Sequence, residues 1–150
     1  DILFSIIEKN RNIKKKVIIG SENTKTKKNR KLEKEKKKFN ELGYETHILE
    51  RINNKEKGVD ELLHNKIMET LLYSDVPGSI IIATGDGKSS DYTDNSFYNI
   101  CITALKKGWK VTVISWRYQL NKNYNVLEKD NINNKFNIIY LEEHIDLLIV

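Results

Sequence analysis

Apolar positions recur along the chain with two alternating periods, about 3.6 residues and about two, and that alternation predicts helices and strands in turn. In "DILFSIIEKN" the residues Ile2, Leu3, Ile6 and Ile7 have helical spacing. "KKVIIG" is a β-branched run closed by Gly20 and predicts a short buried strand. Residues 21–29 are polar and predict a loop. Residues 30–42 predict a helix with Leu32, Phe39 and Leu42 inward, lysines outward and Gly43 as its stop. "YETHILE" alternates like a strand. "VDELLHNKIMETLLY" predicts the best-defined helix, with Val59, Leu62, Leu63, Ile67 and Leu71 on one face.

"GSIIIAT" is apolar on both faces, the pattern of the most buried strand at the centre of a parallel sheet. Phe97, Ile100, Cys101, Ala104 and Leu105 then mark an amphipathic helix ended by Gly108. "KVTVISW" predicts the next strand and residues 118–129 a further helix. "FNIIYL" predicts a last strand and "EEHIDLLIV" a short last helix. Five strands separated by helices predict an α/β fold, a three-layer α/β/α arrangement with a mainly parallel sheet.

Composition bounds this picture. The 150 residues suit a single domain, and no internal repeat or Pro/Gly linker divides them. The hydrophobic share of 39% and charged share of 31% fit a globular chain with a highly charged surface. No apolar run approaches the roughly 18 residues that cross a bilayer, so no membrane partner is expected. No signal-peptide pattern opens the chain. The single cysteine, Cys101, has no internal partner for a disulfide, which points to a reducing, intracellular compartment, cytoplasmic or nuclear. A net charge of +5 suits a polyanionic partner such as nucleic acid. The chain opens at Asp1 without an initiator Met and reads as a domain trimmed at its N-terminus.

Chemistry is expected beyond the carboxyl ends of the strands, and "TGDGKSSD" leaves such an end. Its Gly87-Lys88-Ser89 suggests a phosphate-binding loop, but G-x-x-x-x-G-K-[ST] needs a glycine where Ile82 stands inside the strand. What remains is Asp86 between two glycines, with Asp91 and Asp94 close behind. Carboxylates crowded at one strand end repel unless a cation compensates, and hard oxygen donors suit Mg²⁺ or Mn²⁺. Asp94 reads equally well as the N-cap of the next helix. Upstream, Gly58 and Val59 lead into the long helix, with Asp60 in its first turn. Alone, Asp60 reads as complementing the helix dipole. His64 lies four residues on, and no second histidine has zinc-ligand spacing to it.

Taken together, "KEKGVDELLHNKI" and "PGSIIIATGDG" resemble the NYN domain family, a branch of the PIN-like nuclease superfamily. There a K-G-x-D segment opens a helix and an S/T-G-D-G turn ends the next strand. "DYTDNSFYNICITALKKGWKVTVISWRYQL" is similar to the version common in fungal and related eukaryotic proteins, and "GYETHILER" and "FNIIYLEEHIDLL" fit it too. The resemblance spans most of residues 43–149. It implies a PIN-like fold and a ribonuclease dependent on Mg²⁺ or Mn²⁺. Asp60 and Asp86 match the family's acids, and Asp91 and Asp94 fall where further acids occur in this branch. Where the bacterial-type pattern has an acid directly after G-D-G, this chain has Lys88. The family's first strand, which carries an early Asp, is expected upstream of Asp1 and central in the sheet.

In that reading Thr84 orients a ligand or a water, and Lys57, Lys88 and Arg51 contact the phosphates of single-stranded RNA. Tyr92, Phe97, Tyr98 and Trp116 are candidates for stacking bases, although Phe97 and Trp109 suit the core. The run "KTKKNRKLEKEKKK", residues 25–38, reads either as an RNA-binding face or as a solvated helix surface with local Glu–Lys pairs. A catalytically silent RNA-binding or protein-interaction module and a nucleotide-binding α/β domain stand as alternatives, and a homodimer is left open.

Overall fold

The computed structural model describes residues 2–22, 30–53, 55, 58–84, 97–130 and 134–148. Helices and strands alternate: α1 (Ile2–Glu8), β1 (Val17–Glu22), α2 (Arg30–Glu41), β2 (Glu45–Glu50), α3 (Val59–Tyr73), β3 (Ser79–Ala83), α4 (Phe97–Lys106), β4 (Lys110–Ser115), α5 (Asn123–Lys129), β5 (Phe136–Tyr140), a short 3₁₀ turn over Leu141–His144, and α6 (Ile145–Leu148). The chain is α/β with parallel strands, as the periodicity predicts. Its hydrogen bonds divide the strands into two sheets, β1-β2 and β3-β4-β5. The chain forms two compact units, one of residues Arg11–Asn65 and one of Asp1–Asn10 with Lys66–Val150.

In the first unit β1 and β2 run parallel from Val17↔Glu45 to Glu22↔Glu50. Gly20 does not close β1, because the strand continues two residues beyond it. Helix α2 packs on β2 and ends where expected. Gly43 has φ +82°, the Gly43 N–H bonds the Asn40 carbonyl at 3.0 Å, and the Tyr44 N–H bonds that of Phe39 at 3.0 Å. This is the Schellman arrangement, which satisfies carbonyls that the helix end leaves open. Leu42, expected inward, falls in this turn and is exposed. Two of the five lysines of α2 pair locally, Lys36 with Glu33 at 3.5 Å and Lys37 with Glu41 at 3.9 Å. These two pairs are of the local Glu–Lys kind expected for a solvated helix surface, and residues 25–29 lie outside the described residues.

In the second unit β4 pairs in parallel with β3 on one edge and β5 on the other. Val111, Val113 and Ile114 are each 1% exposed and Ser115 is fully buried. The strand expected at the centre, β3, pairs only with β4 among the described strands, and of its residues only Ile82 is buried. An apolar run reports cover on both faces of a strand and carries no information about its edges. The most buried strand is therefore β4, whose Thr112 breaks the apolar run.

Helix α4 packs on β4 and buries Phe97, Ile100, Cys101 and Ala104, as its period predicts. It ends at Gly108, φ +85°, with a second Schellman arrangement: the Gly108 N–H on the Leu105 carbonyl at 2.9 Å and the Trp109 N–H on that of Ala104 at 3.0 Å. The fifth helix begins at Asn123, later than expected, because residues 117–119 form a turn. Among the described residues no helix is long and apolar enough to cross a membrane.

Two consequences are measurable. A methyl group on Gly78 would lie 2.9 Å from Cζ3 of the buried Trp109 indole. Gly78→Ala is therefore expected to destabilise the protein by about 1–3 kcal/mol, read as a lower urea midpoint. Burial pushes the Cys101 thiol up from 9.0 to about 12. Between those values the folded state keeps a proton that the unfolded state has lost. This group's contribution is thus intact below pH 9.0 and falls as pH rises, by about 1.4 kcal/mol per unit. Cys101→Ala is expected to flatten that part of the stability profile in urea titrations run upward from about pH 8.

Candidate functional site

The carboxyl ends of the strands gather most of the polar chemistry. In the first unit Arg51 follows β2 directly. Its N–H donates to the Glu22 carbonyl at 2.7 Å, and its Nε–H donates to Ser21 Oγ at 3.0 Å. The guanidinium is thus tied to the end of β1, although Ser21 and Arg51 are thirty positions apart. Glu22 and Glu50 face each other in register at the same end. The sequence pattern did not single out these two acids, because only the strand pairing makes them neighbours. His47, on β2, pairs with Glu45 at 2.6 Å.

The chain then turns through Ile52 and Lys55, whose backbones exchange two hydrogen bonds, with Asn53 at φ +52°. Gly58 enters α3 with φ +81°, and its carbonyl accepts the Leu62 N–H at 2.9 Å. A left-handed residue next to Leu49, whose Cδ1 would stand 3.4 Å from an added methyl group, favours glycine here. This geometry is the local reason that Asp60 comes in the first turn of α3, where it is exposed. The helix-dipole reading and a ligand reading are both compatible with such a carboxylate. Lys57 lies outside the described residues.

In the second unit Thr84 follows β3 and its N–H reaches the Ile114 carbonyl at 3.1 Å, extending the β3–β4 pairing by one residue. Its side chain is half-buried. Asp86, Lys88, Asp91, Asp94 and Tyr92 lie outside the described residues. Among the described residues no group of three or more His, Cys, Asp or Glu side chains is placed to hold a metal ion.

At the ends of β4 and β5 the structure assembles residues that sequence reasoning did not connect. The Arg117 N–H donates to Glu142 Oε1 at 2.8 Å, and its guanidinium lies 3.4 Å from Glu143 and 3.6 Å above the centre of the Tyr140 ring. The Tyr140 hydroxyl donates to Asn125 Oδ1 at 2.9 Å. Burial, followed by the negative charge of Glu128, raises the Tyr140 pKa, opposed by Arg117, so the phenol stays protonated. Glu142 Oε2 is buried and has no hydrogen-bond partner among the described residues.

Of the candidate base-stacking rings, one is committed to the core and a second has a ring partner. Phe97 is 4% exposed in the core, and Tyr98 packs edge-on against buried Tyr124 at 5.6 Å. Trp116 is half-buried at the end of β4, with Tyr118 beside it at 6.4 Å. Cys101, buried and with its thiol pushed up to about 12, is inert as a nucleophile or metal ligand. No protein-family model, curated protein sequence or solved structure matches this chain.

Proposed function

We propose that this chain is a metal-dependent ribonuclease acting on single-stranded RNA, with Asp60 and Asp86 as ligands for Mg²⁺ or Mn²⁺. The observation that carries the reading is the pairing of two motifs with the elements they require. Gly58-Val59-Asp60 opens α3 with its glycine left-handed, and Thr84-Gly85-Asp86-Gly87 begins one residue after β3 ends. Carboxylate oxygens are the donors that hard divalent cations prefer, so the acids fit such an ion.

When bound, the ion supplies Lewis-acid stabilisation of charge on the phosphodiester and activation of water. The chain's own residues hold and orient. Asp60 and Asp86 would each offer carboxylate oxygens to the ion, and Asp91 and Asp94 are further acids close behind Asp86 in the sequence. Arg51, held by the Glu22 carbonyl and Ser21 Oγ, brings a fixed cation to the end of the β1-β2 sheet. Lys57 and Lys88 add positive charge next to the two motifs. Such contacts position a phosphate backbone without reading sequence. The Thr84 hydroxyl orients a ligand or water next to Asp86.

The purified chain is expected to cleave a single-stranded RNA oligonucleotide when Mn²⁺ or Mg²⁺ is added and to stop in EDTA. Asp86→Asn and Asp60→Asn should each lower the cleavage rate by about 100-fold or more, while leaving RNA binding in EDTA intact. Unchanged cleavage by Asp86→Asn would sink the metal-site reading. RNA binding without cleavage in either metal would identify the protein as a silent binding module.

A further inference from the structure

Outside the acidic motifs, the chemistry-bearing feature with the most structure around it is the turn that leaves β4. Its sequence is Trp116-Arg117-Tyr118-Gln119-Leu120. The Trp116 carbonyl accepts both the Gln119 and the Leu120 N–H at 3.1 Å, which closes the turn. Leu120 is 8% exposed and anchors its far end in the core. The near end continues the most buried strand of the sheet. Arg117 is held from three sides: its N–H by Glu142, its guanidinium by Glu143, and its flat face by Tyr140. With both ends and the middle fixed, Tyr118 is held out at 78% exposure, its ring tilted 32° from that of Trp116.

Single exposed aromatics are common on protein surfaces and need no explanation. Here two aromatic rings and a stacked guanidinium sit together on a rigid turn, at the carboxyl end of the central strand of a parallel sheet. In this sheet class that end is where ligands bind. The hydrogen-bonded turn already fixes the backbone that carries the rings, so binding has to order only their side-chain torsions. Flat apolar faces next to a cation match a nucleobase, which every nucleotide of a single strand offers regardless of sequence. The guanidinium faces Glu143 at 3.4 Å, so its charge is largely compensated where it stands. Binding at this turn would therefore come from ring faces more than from phosphate neutralisation.

We propose that Trp116 and Tyr118, backed by Arg117 on Tyr140, form a base-stacking platform for single-stranded RNA. The inference rests on the ribonuclease reading for the identity of the ligand, but not on its metal chemistry. It is tested in EDTA with a short fluorescent oligouridylate, where cleavage plays no part. Tyr118→Ala and Trp116→Ala should weaken binding by about tenfold each, with the slope of log affinity against log salt unchanged. Loss of a phosphate contact would instead reduce that slope by roughly one.

Tyr118→Phe should bind like the wild type. Trp116→Phe should keep most of the affinity while abolishing the quenching of tryptophan fluorescence by RNA, since the only other tryptophan, Trp109, is 7% exposed. Tyr118 is exposed enough that its variants should melt like the wild type, which separates binding from folding. Wild-type binding to RNA with Tyr118→Ala undiminished would overturn the platform and leave the ribonuclease reading standing. A wild-type protein that binds no single-stranded RNA would overturn both.

Discussion

The burial of β4 is the constraint on which the second unit depends. Val111, Val113 and Ile114 lose nearly all contact with water, and each such side chain contributes about 1.5–3 kcal/mol when buried. A strand that dry has no water for its peptide groups, so partner strands must supply their hydrogen bonds on both edges. β3 and β5 do so in parallel register, and α4 lays its buried face of Phe97, Ile100, Cys101 and Ala104 over the sheet. The position of everything that leaves β4 follows from this. Ser115 is fully buried, Trp116 is the first residue able to turn, and the Arg117 N–H finds its acceptor in Glu142, just past β5. The turn thus starts from a strand held on both edges and is closed by its own hydrogen bonds.

The helices were legible because their cause is local. A stripe of apolar residues every three or four positions can be buried only by a helix, and α3 spans the residues that the stripe marks. Gly43 and Gly108 were legible as stops for a similarly local reason, since both adopt the left-handed conformation that closes a Schellman turn. Gly20 shows the limit of that rule. Inside a strand a glycine only omits a side chain, here beside Ile48, and β1 continues to Glu22. The order of strands was not legible. Ile80, Ile81 and Ile82 report that both faces of β3 are apolar, but which strand sits in the middle depends on edges, which side chains do not encode. Thr112 is tolerated in β4 because its neighbours on the strand carry the burial.

The candidate site divides along the same line. Asp60 could be read from the sequence because a glycine and a helix start, both local, determine where it stands. The anchoring of Arg51 by Ser21 and the register pairing of Glu22 with Glu50 depend on strand pairing between segments some thirty residues apart. The Arg117–Glu142–Glu143–Tyr140 assembly joins the ends of two strands, and no spacing rule along the chain links them. The base-stacking candidates show the difference well. Phe97, Tyr98 and Trp116 are equally aromatic in the sequence, and only packing shows that Phe97 serves the core while Tyr98 and Trp116 are half-buried.

The distribution of charge bears on how a polyanion would be held. The net charge of +5 would attract a polyanion at long range, but two lysines of α2 and the arginine after β4 already have carboxylates nearby: Lys36 with Glu33, Lys37 with Glu41, Arg117 with Glu143. Exposed pairs of this kind contribute little to stability. They lower the local field and leave the molecule's net charge to steer encounters, which salt screens over about 10 Å. A ligand retained by such a surface must draw its binding energy from contacts that salt does not weaken. Ring faces meet that requirement where paired ammonium and guanidinium groups do not. On the proposed reading, steering and retention would therefore fall to different residues: dispersed lysines would attract the RNA, and the aromatic pair after β4 would supply a contact that persists when the attraction is screened.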